Sequence, residues 1–341
     1  MLKIAYITLT LLSVSSQSLA TTSKELVIYA NDSFISEWGP GPTLKKNFES
    51  ECNCKIKWIA AADGAATLAR LKIDGSRSKA DVVIGLDDSI AAAVDSLGLF
   101  AESGIPKTST AIDKFNNHSP KLVPYDFGFY SFMFDTEARQ KDGKLFRRPT
   151  SLDDLLTSEQ FSKSVLIQDP RSSATGLGLL FWLKSVYGDA YEKALSKLRQ
   201  QTLKVGKGWS ESYSLFTKGE APFVLSYSTS EAYHREIEKK SRFQALIFPE
   251  GHYAVVESAG ILKTSKNKAL AKSFLEFLLQ EKSQQIIASM NWMYPIIETT
   301  KNLPAAFSII QKPNKVLRLG PSIIDKNRRT WTEQWENTFR K

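Results

Sequence analysis

From Glu25 onward, short apolar runs alternate with stretches in which apolar residues recur every three or four positions. The runs ELVIYA, CKIKWIAA and ADVVIGL predict strands, and a stretch opened by Gly41-Pro42 and the segment GAATLARLKIDG predict helices between them. That order is the signature of βαβ units and a largely parallel sheet, hence an α/β fold. A second block repeats it, with SVLIQDP, TLKVG and APFVLSYS as strands and GLGLLFWLKSVYG and YEKALSKLRQQ as helices.

Two extended stretches lie outside this rhythm. LVPYDFGFYSFMFD, from Leu122 to Asp135, is too long and bulky for an ordinary loop, and YAVVESAGIL, from Tyr253 to Leu262, follows the second block. Both read as strands crossing between two domains, so the chain leaves the first domain, builds the second and returns. The expected division is 21–124 with 258–300 in one domain and 125–257 with 301–341 in the other. The last third predicts helices. Ser265 is placed to cap KALAKSFLEFLLQ, whose Phe274, Phe277 and Leu278 share a face. Trp331, Trp335 and Phe339 recur every four residues, the spacing of a buried stripe rather than of a binding box.

The first twenty residues carry a basic start at Lys3, an apolar middle and the small-residue ending Ser18-Leu19-Ala20, which predicts an export signal cleaved after Ala20. The apolar core is too short to span a bilayer. Hydrophobic residues make up 42% of the chain and aromatics 11%, which means a packed globule. The net charge of +9 is spread without any long basic run, so nucleic acid is not an expected partner. Cys52 and Cys54 sit in one tripeptide, open to a local crosslink or to two quiet thiols.

In open α/β sheets ligands sit beyond the carboxyl ends of strands. The residues there are Asn31-Asp32-Ser33, Ala62-Asp63-Gly64 and Asp87-Asp88 in the first block, and Tyr227-Ser228-Thr229-Ser230 in the second. Trp38, Trp209, Tyr227, Tyr233 and Trp292 all fall at loop or element ends, beside Gly, Pro or hydroxyl residues. Rings in such places offer stacking faces to a flat ligand and attract a cation by about 0.5–2 kcal/mol each. His118, His234 and His252 lie in no metal or nucleophile motif, and there is no G-x-S-x-G, H-E-x-x-H or phosphate-cradling glycine loop. No catalytic residue, resident metal or cofactor is expected.

The runs NDSFISEWGPGP, ADVVIGLDDS, YDFGFYSF, QDPRSSATGLGLL, KGWSESYSLFTKGE, VLSYSTSEAYH, EGHY and NWMYP together resemble the thiamine-binding proteins of bacterial ABC importers, over nearly all of the chain after the signal. The resemblance implies the type II periplasmic binding protein fold, two domains that are each a mixed sheet flanked by helices, closing on thiamine or its mono- and pyrophosphate. It implies ligand contacts at Asp63, Gly64, Ser173, Trp209, Tyr227, Ser228, Thr229, Ser230, Tyr233 and Trp292, with Ala174, Trp38 and Asp32 beside them. It also implies a membrane permease and an ATPase as partners of a monomeric carrier. Asn31 stands where that family has an aromatic, and Ala174 where a hydroxyl residue can occur.

Thiamine carries a charged thiazolium and a flat aminopyrimidine, which suits aromatic walls and a carboxylate such as Asp63; Ser173, Ser228 and backbone N–H groups at helix starts can meet a phosphate. Two other readings compete. A ferric-ion carrier on the same architecture would use Tyr227, Tyr233 and His234 as hard-metal ligands. An enzyme acting on thiamine would need a cysteine nucleophile, and Cys52 and Cys54 are placed at the strand end opposite the crevice.

Overall fold

Both parities of the first strand are apolar, because the strand is covered on both faces. In β1 (Glu25–Asn31), Leu26, Ile28 and Ala30 enter one core and Val27 and Tyr29 the other. The computed structural model describes residues 24–61, 64–106, 119–297 and 303–340. β1 pairs in parallel with β2 (Lys55–Ala61) and β3 (Val82–Leu86). A short α1 (Asp32–Ile35) and α2 (Gly41–Cys52) follow β1, α3 (Gly64–Asp74) follows β2, and α4 (Asp88–Leu97) follows β3. Cys52 and Cys54 are joined as a disulfide around Asn53, whose left-handed φ of 49° ends α2.

The second lobe repeats the pattern. β5 (Val165–Gln168) runs parallel to β6 (Thr202–Gly206) and β7 (Phe223–Tyr227). Between them lie α6 (Ala174–Tyr187), α7 (Tyr191–Gln201) and α8 (Trp209–Thr217), after a short α5 (Leu152–Thr157); α9 (Ser230–Glu236) leaves β7. Its core is built around Trp182, Phe132, Phe181 and Phe223.

Two strands join the lobes. β4 (Leu122–Asp135) pairs antiparallel with β9 (His252–Ile261) over Leu122–Phe129 and with β7 over Tyr130–Phe134, while β9 pairs with β3 through Ser258–Ile261. The sheet path is therefore continuous, β2-β1-β3-β9-β4-β7-β5-β6, rather than one closed sheet per lobe. The reason is that each crossing strand gives one end to each half. β8 (Phe243–Ala245) and β10 (Tyr294–Pro295) add to β4.

After β9, α10 (Lys268–Leu278) and α11 (Glu281–Met290) return to the first lobe, where Phe274, Phe277 and Leu278 are buried together. Ser265 is not the cap expected of it. Asn267 takes the N-cap position, while the Ser265 hydroxyl donates to Asp81 at 2.7 Å and accepts the Asn267 N–H. A pre-helical turn consumed the hydroxyl. α12 (Ala306–Ile309) packs on α9, and β11 (Val316–Leu317) pairs with β9. The long α13 (Pro321–Phe339) lies across α4, α6 and α7 with Trp331 and Trp335 in the second core, as the four-residue spacing predicts. Among the described residues no helix is long and apolar enough to cross a membrane; the expected export signal, 1–20, lies outside them.

Candidate ligand-binding cleft

Parallel pairing points the carboxyl ends of β1 and β3 toward those of β5, β6 and β7, and the gap between the two edges is a cavity of about 480 Å³. Asp32, Trp38, Ala174, Trp209, Tyr227, Ser230, Tyr233 and Trp292 line it, which brings eight of the expected residues to one cavity.

The aromatic side is held by named contacts. The Trp209 indole N–H donates to Ser226 Oγ at 2.7 Å, and its ring stacks on Tyr213 with centroids 4.7 Å apart. Ser226 Oγ also lies 2.8 Å from Ser230 Oγ, so two buried hydroxyls below the wall fix the indole and the start of α9. Trp38, 55% exposed and carried on the other lobe, stands 6.5 Å from Trp209 at 50°. Trp292, with a left-handed φ of 54°, stacks on Phe307 and meets Tyr233 edge-on at 5.7 Å. Across the cleft, the Ser210 hydroxyl donates to Asp32 Oδ1 at 3.4 Å.

Other expected contacts fall elsewhere. Ser228 and Thr229 follow β7 but turn inward and are fully buried, the Ser228 N–H bonding the Phe129 carbonyl. Ser173 is buried as the N-cap of α6, its hydroxyl accepting the Gly176 N–H at 3.3 Å; its neighbours Ala174 and Thr175 reach the cavity instead. Gly64 is the buried first residue of α3 and does not line the cavity. Asp63 lies outside the described residues, as does His118.

Several lining residues were not among the contacts that the resemblance implies. Asn31 packs over Gly85, where its amide fills the space a Cβ would need and φ is 83°, and among the described residues the buried Asn31 Oδ1 has no hydrogen-bond partner. A glycine inside the apolar run VVIGL was the available signal. Tyr213 and His234 form a buried pair, the phenol 2.7 Å from Nε2, while Nδ1 sits 3.0 Å from Glu238. Burial holds the imidazole below its ordinary range despite Glu238, so it is neutral at physiological pH. Both ring nitrogens are engaged, which removes His234 from the ligand set a ferric carrier would need. Among the described residues no group of three or more His, Cys, Asp or Glu is arranged to hold a metal.

The electrostatics are one-sided. Among the described residues the lining includes Asp32, Asp87, Glu238 and Glu257 and no lysine or arginine, although the chain carries +9 overall. Opposite Asp87 and Glu257, the amino-terminal ends of α6 and α8 open onto the cavity at Ala174-Thr175 and Trp209-Ser210. Helix starts attract negative charge and carboxylates positive charge, so the cavity is built for a ligand with a cationic part and an anionic or polar end.

The sequence profile of the bacterial extracellular solute-binding proteins matches residues 77–327. The chain belongs to that family. Among its relatives, the thiamine-binding periplasmic protein of Brucella melitensis is 45% identical over 97% of each chain. That of Escherichia coli is 44% identical over 91% of this chain and 92% of its own. A solved periplasmic thiamin binding protein, 41% identical, superposes with a TM-score of 0.85 over 94% of this chain and 98% of its own. The solute-binding family thus accounts for the two-lobe α/β architecture and for a ligand cleft between the lobes.

Proposed function

We propose that this solute-binding protein is the periplasmic capture component of a thiamine ABC importer and is not an enzyme. It takes up thiamine and its phosphate esters and delivers them to a membrane permease driven by an ATPase. The observation that carries the reading is the aromatic-walled, acid-lined cavity, to which no lysine or arginine contributes among the described residues. A thiazolium cation fits Trp38, Trp209 and Trp292 on its faces and Asp32, Asp87 and Glu257 on its charge. A phosphate finds the α6 and α8 starts, and Asn31 Oδ1, without a hydrogen-bond partner among the described residues, offers an acceptor to the exocyclic amine. Relatives that carry the thiamine-binding name support the choice of ligand.

The lobes, divided as 21–124 with 258–300 and 125–257 with 301–341, close about β4 and β9, and the Ser210–Asp32 contact belongs to the closed form. The mature chain, freed of residues 1–20, acts as a monomer without a cofactor. Titration calorimetry of ligand-free mature protein with thiamine, its monophosphate and its pyrophosphate tests this. One-to-one binding is expected, with no heat from ferric citrate. Heat from the ferric salt alone would overturn the assignment.

A further inference from the structure

At the floor of the cleft, Asp126 on β4 and Glu257 on β9 are cross-strand partners on the two strands that join the lobes. Asp126 is fully buried, and Glu257 is part of the cavity wall. The Tyr125 hydroxyl donates to Glu257 Oε2 at 2.9 Å, and the Asn291 amide donates to Asp126 Oδ2 at 2.7 Å and to Glu257 Oε2 at 3.2 Å. Asp126 Oδ1 finds no N–H or O–H donor among the described residues, and its carboxyl faces that of Glu257.

Around the pair, Asp87 after β3 adds negative charge, Tyr125 on β4 is a neutral phenol beside Tyr227 of β7, and Asn291 after α11 is a neutral amide. On the far wall Glu238 is hydrogen-bonded to the neutral His234 ring and ion-paired with Lys240 at 3.4 Å. Two buried carboxyls in contact, with no cation beside them among the described residues, cannot both ionise. Burial first, then the neighbouring charge, pushes Asp126 well above the carboxylate range, and burial raises Glu257 as well.

We propose that in the empty cleft Asp126 and Glu257 hold one proton between them, and that a cationic heterocycle seated against Glu257 expels it to solvent. The inference rests on the thiamine reading above. Before capture the pair carries one negative charge. Afterwards it carries two, one of them answered by the ligand's cation, and the proton is in the bulk. Only a cationic ligand offers that exchange, so the pair selects charge as well as shape, from a position on the strands that bend when the lobes close.

Titration with thiamine at pH 7 in phosphate and in Tris, whose ionisation heats differ, reads the released proton directly. Binding heats that differ between buffers are expected, with affinity weakening toward about tenfold per pH unit as the solution is acidified. In Asp126→Asn the amide can keep both hydrogen bonds but holds no shared proton, so the buffer dependence should vanish while thiamine still binds. Glu257→Gln should also lose it and bind about tenfold more weakly. Equal heats in both buffers, or proton release retained in Asp126→Asn, would overturn the proposal. If thiamine gives no heat in any buffer, the ligand assignment fails. The shared proton is then judged separately from the infrared spectrum of ligand-free protein: a protonated-carboxyl band lost in Asp126→Asn supports it, and absence of that band from the parent refutes it.

Discussion

The indole N–H of Trp209 donates to Ser226 Oγ at 2.7 Å, from the first residue of a helix to the strand beside it. This bond holds the ring edge against β7, while stacking on Tyr213 holds one face. Trp209 is therefore oriented by the fold before any ligand arrives, and little side-chain entropy remains to be lost on binding. Trp209→Ala should weaken thiamine binding about tenfold, ~1.4 kcal/mol, with the unfolding temperature nearly unchanged. Trp209→Phe should recover part of the loss, because it keeps a stacking ring without the N–H. Calorimetric affinities for both variants check this, and parent-like affinity in Trp209→Ala would place the ring outside the ligand contact.

Gly178 lies in the middle of α6 against the ring of Tyr130, where an added Cβ would collide with the phenol. Alanine normally stabilises a helix interior by about 0.5–1 kcal/mol over glycine. Overpacking a core costs about 1–3 kcal/mol, and Tyr130 is almost fully buried and cannot move aside freely. The clash wins, so Gly178→Ala should lower the unfolding temperature. Because Tyr130 packs on Tyr227, which lines the cavity, thiamine affinity should fall with it. Thermal unfolding with and without thiamine measures both effects, and a variant at least as stable as the parent would refute the packing argument.

His252 is buried between two backbone groups. Its Nδ1–H donates to the Tyr130 carbonyl, and Nε2 accepts the Phe248 N–H, each at 2.7 Å, so the structure requires the neutral ring. Burial lowers its pKa to about 4. The unfolded chain takes up this proton near pH 6.5, so between there and about pH 4 it binds more protons than the folded state. Stability therefore falls on acidification through that window, by about 1.4 kcal/mol per pH unit at most from this group, and is fully present above it. Urea unfolding from pH 7 to 4 should show a shallower slope in His252→Gln than in the parent. Equal slopes would mean that other groups carry the acid response.

The alternation of apolar runs and helical periodicity was enough to place the βαβ blocks, both crossing strands and the aromatic stripe of α13, because burial on both sheet faces and on one helix face is written directly into residue spacing. It also put Tyr227 and Ser230 at the carboxyl end of a strand, and the structure brings them to the cavity together with Trp209 and Tyr233. What the spacing could not decide was which hydroxyls face the cleft. Ser228 and Thr229 follow Tyr227 as Ser230 does, yet both are fully buried, the Ser228 N–H bonded to the Phe129 carbonyl, and Ser173 caps α6. Nor could it bring Asp126 to Glu257, or Tyr213 to His234, because those contacts depend on which strands and helices lie side by side. Local pattern records a residue's own burial. Only the packed chain decides what is buried beside it, and in this cleft that neighbourhood sets the charge each group carries.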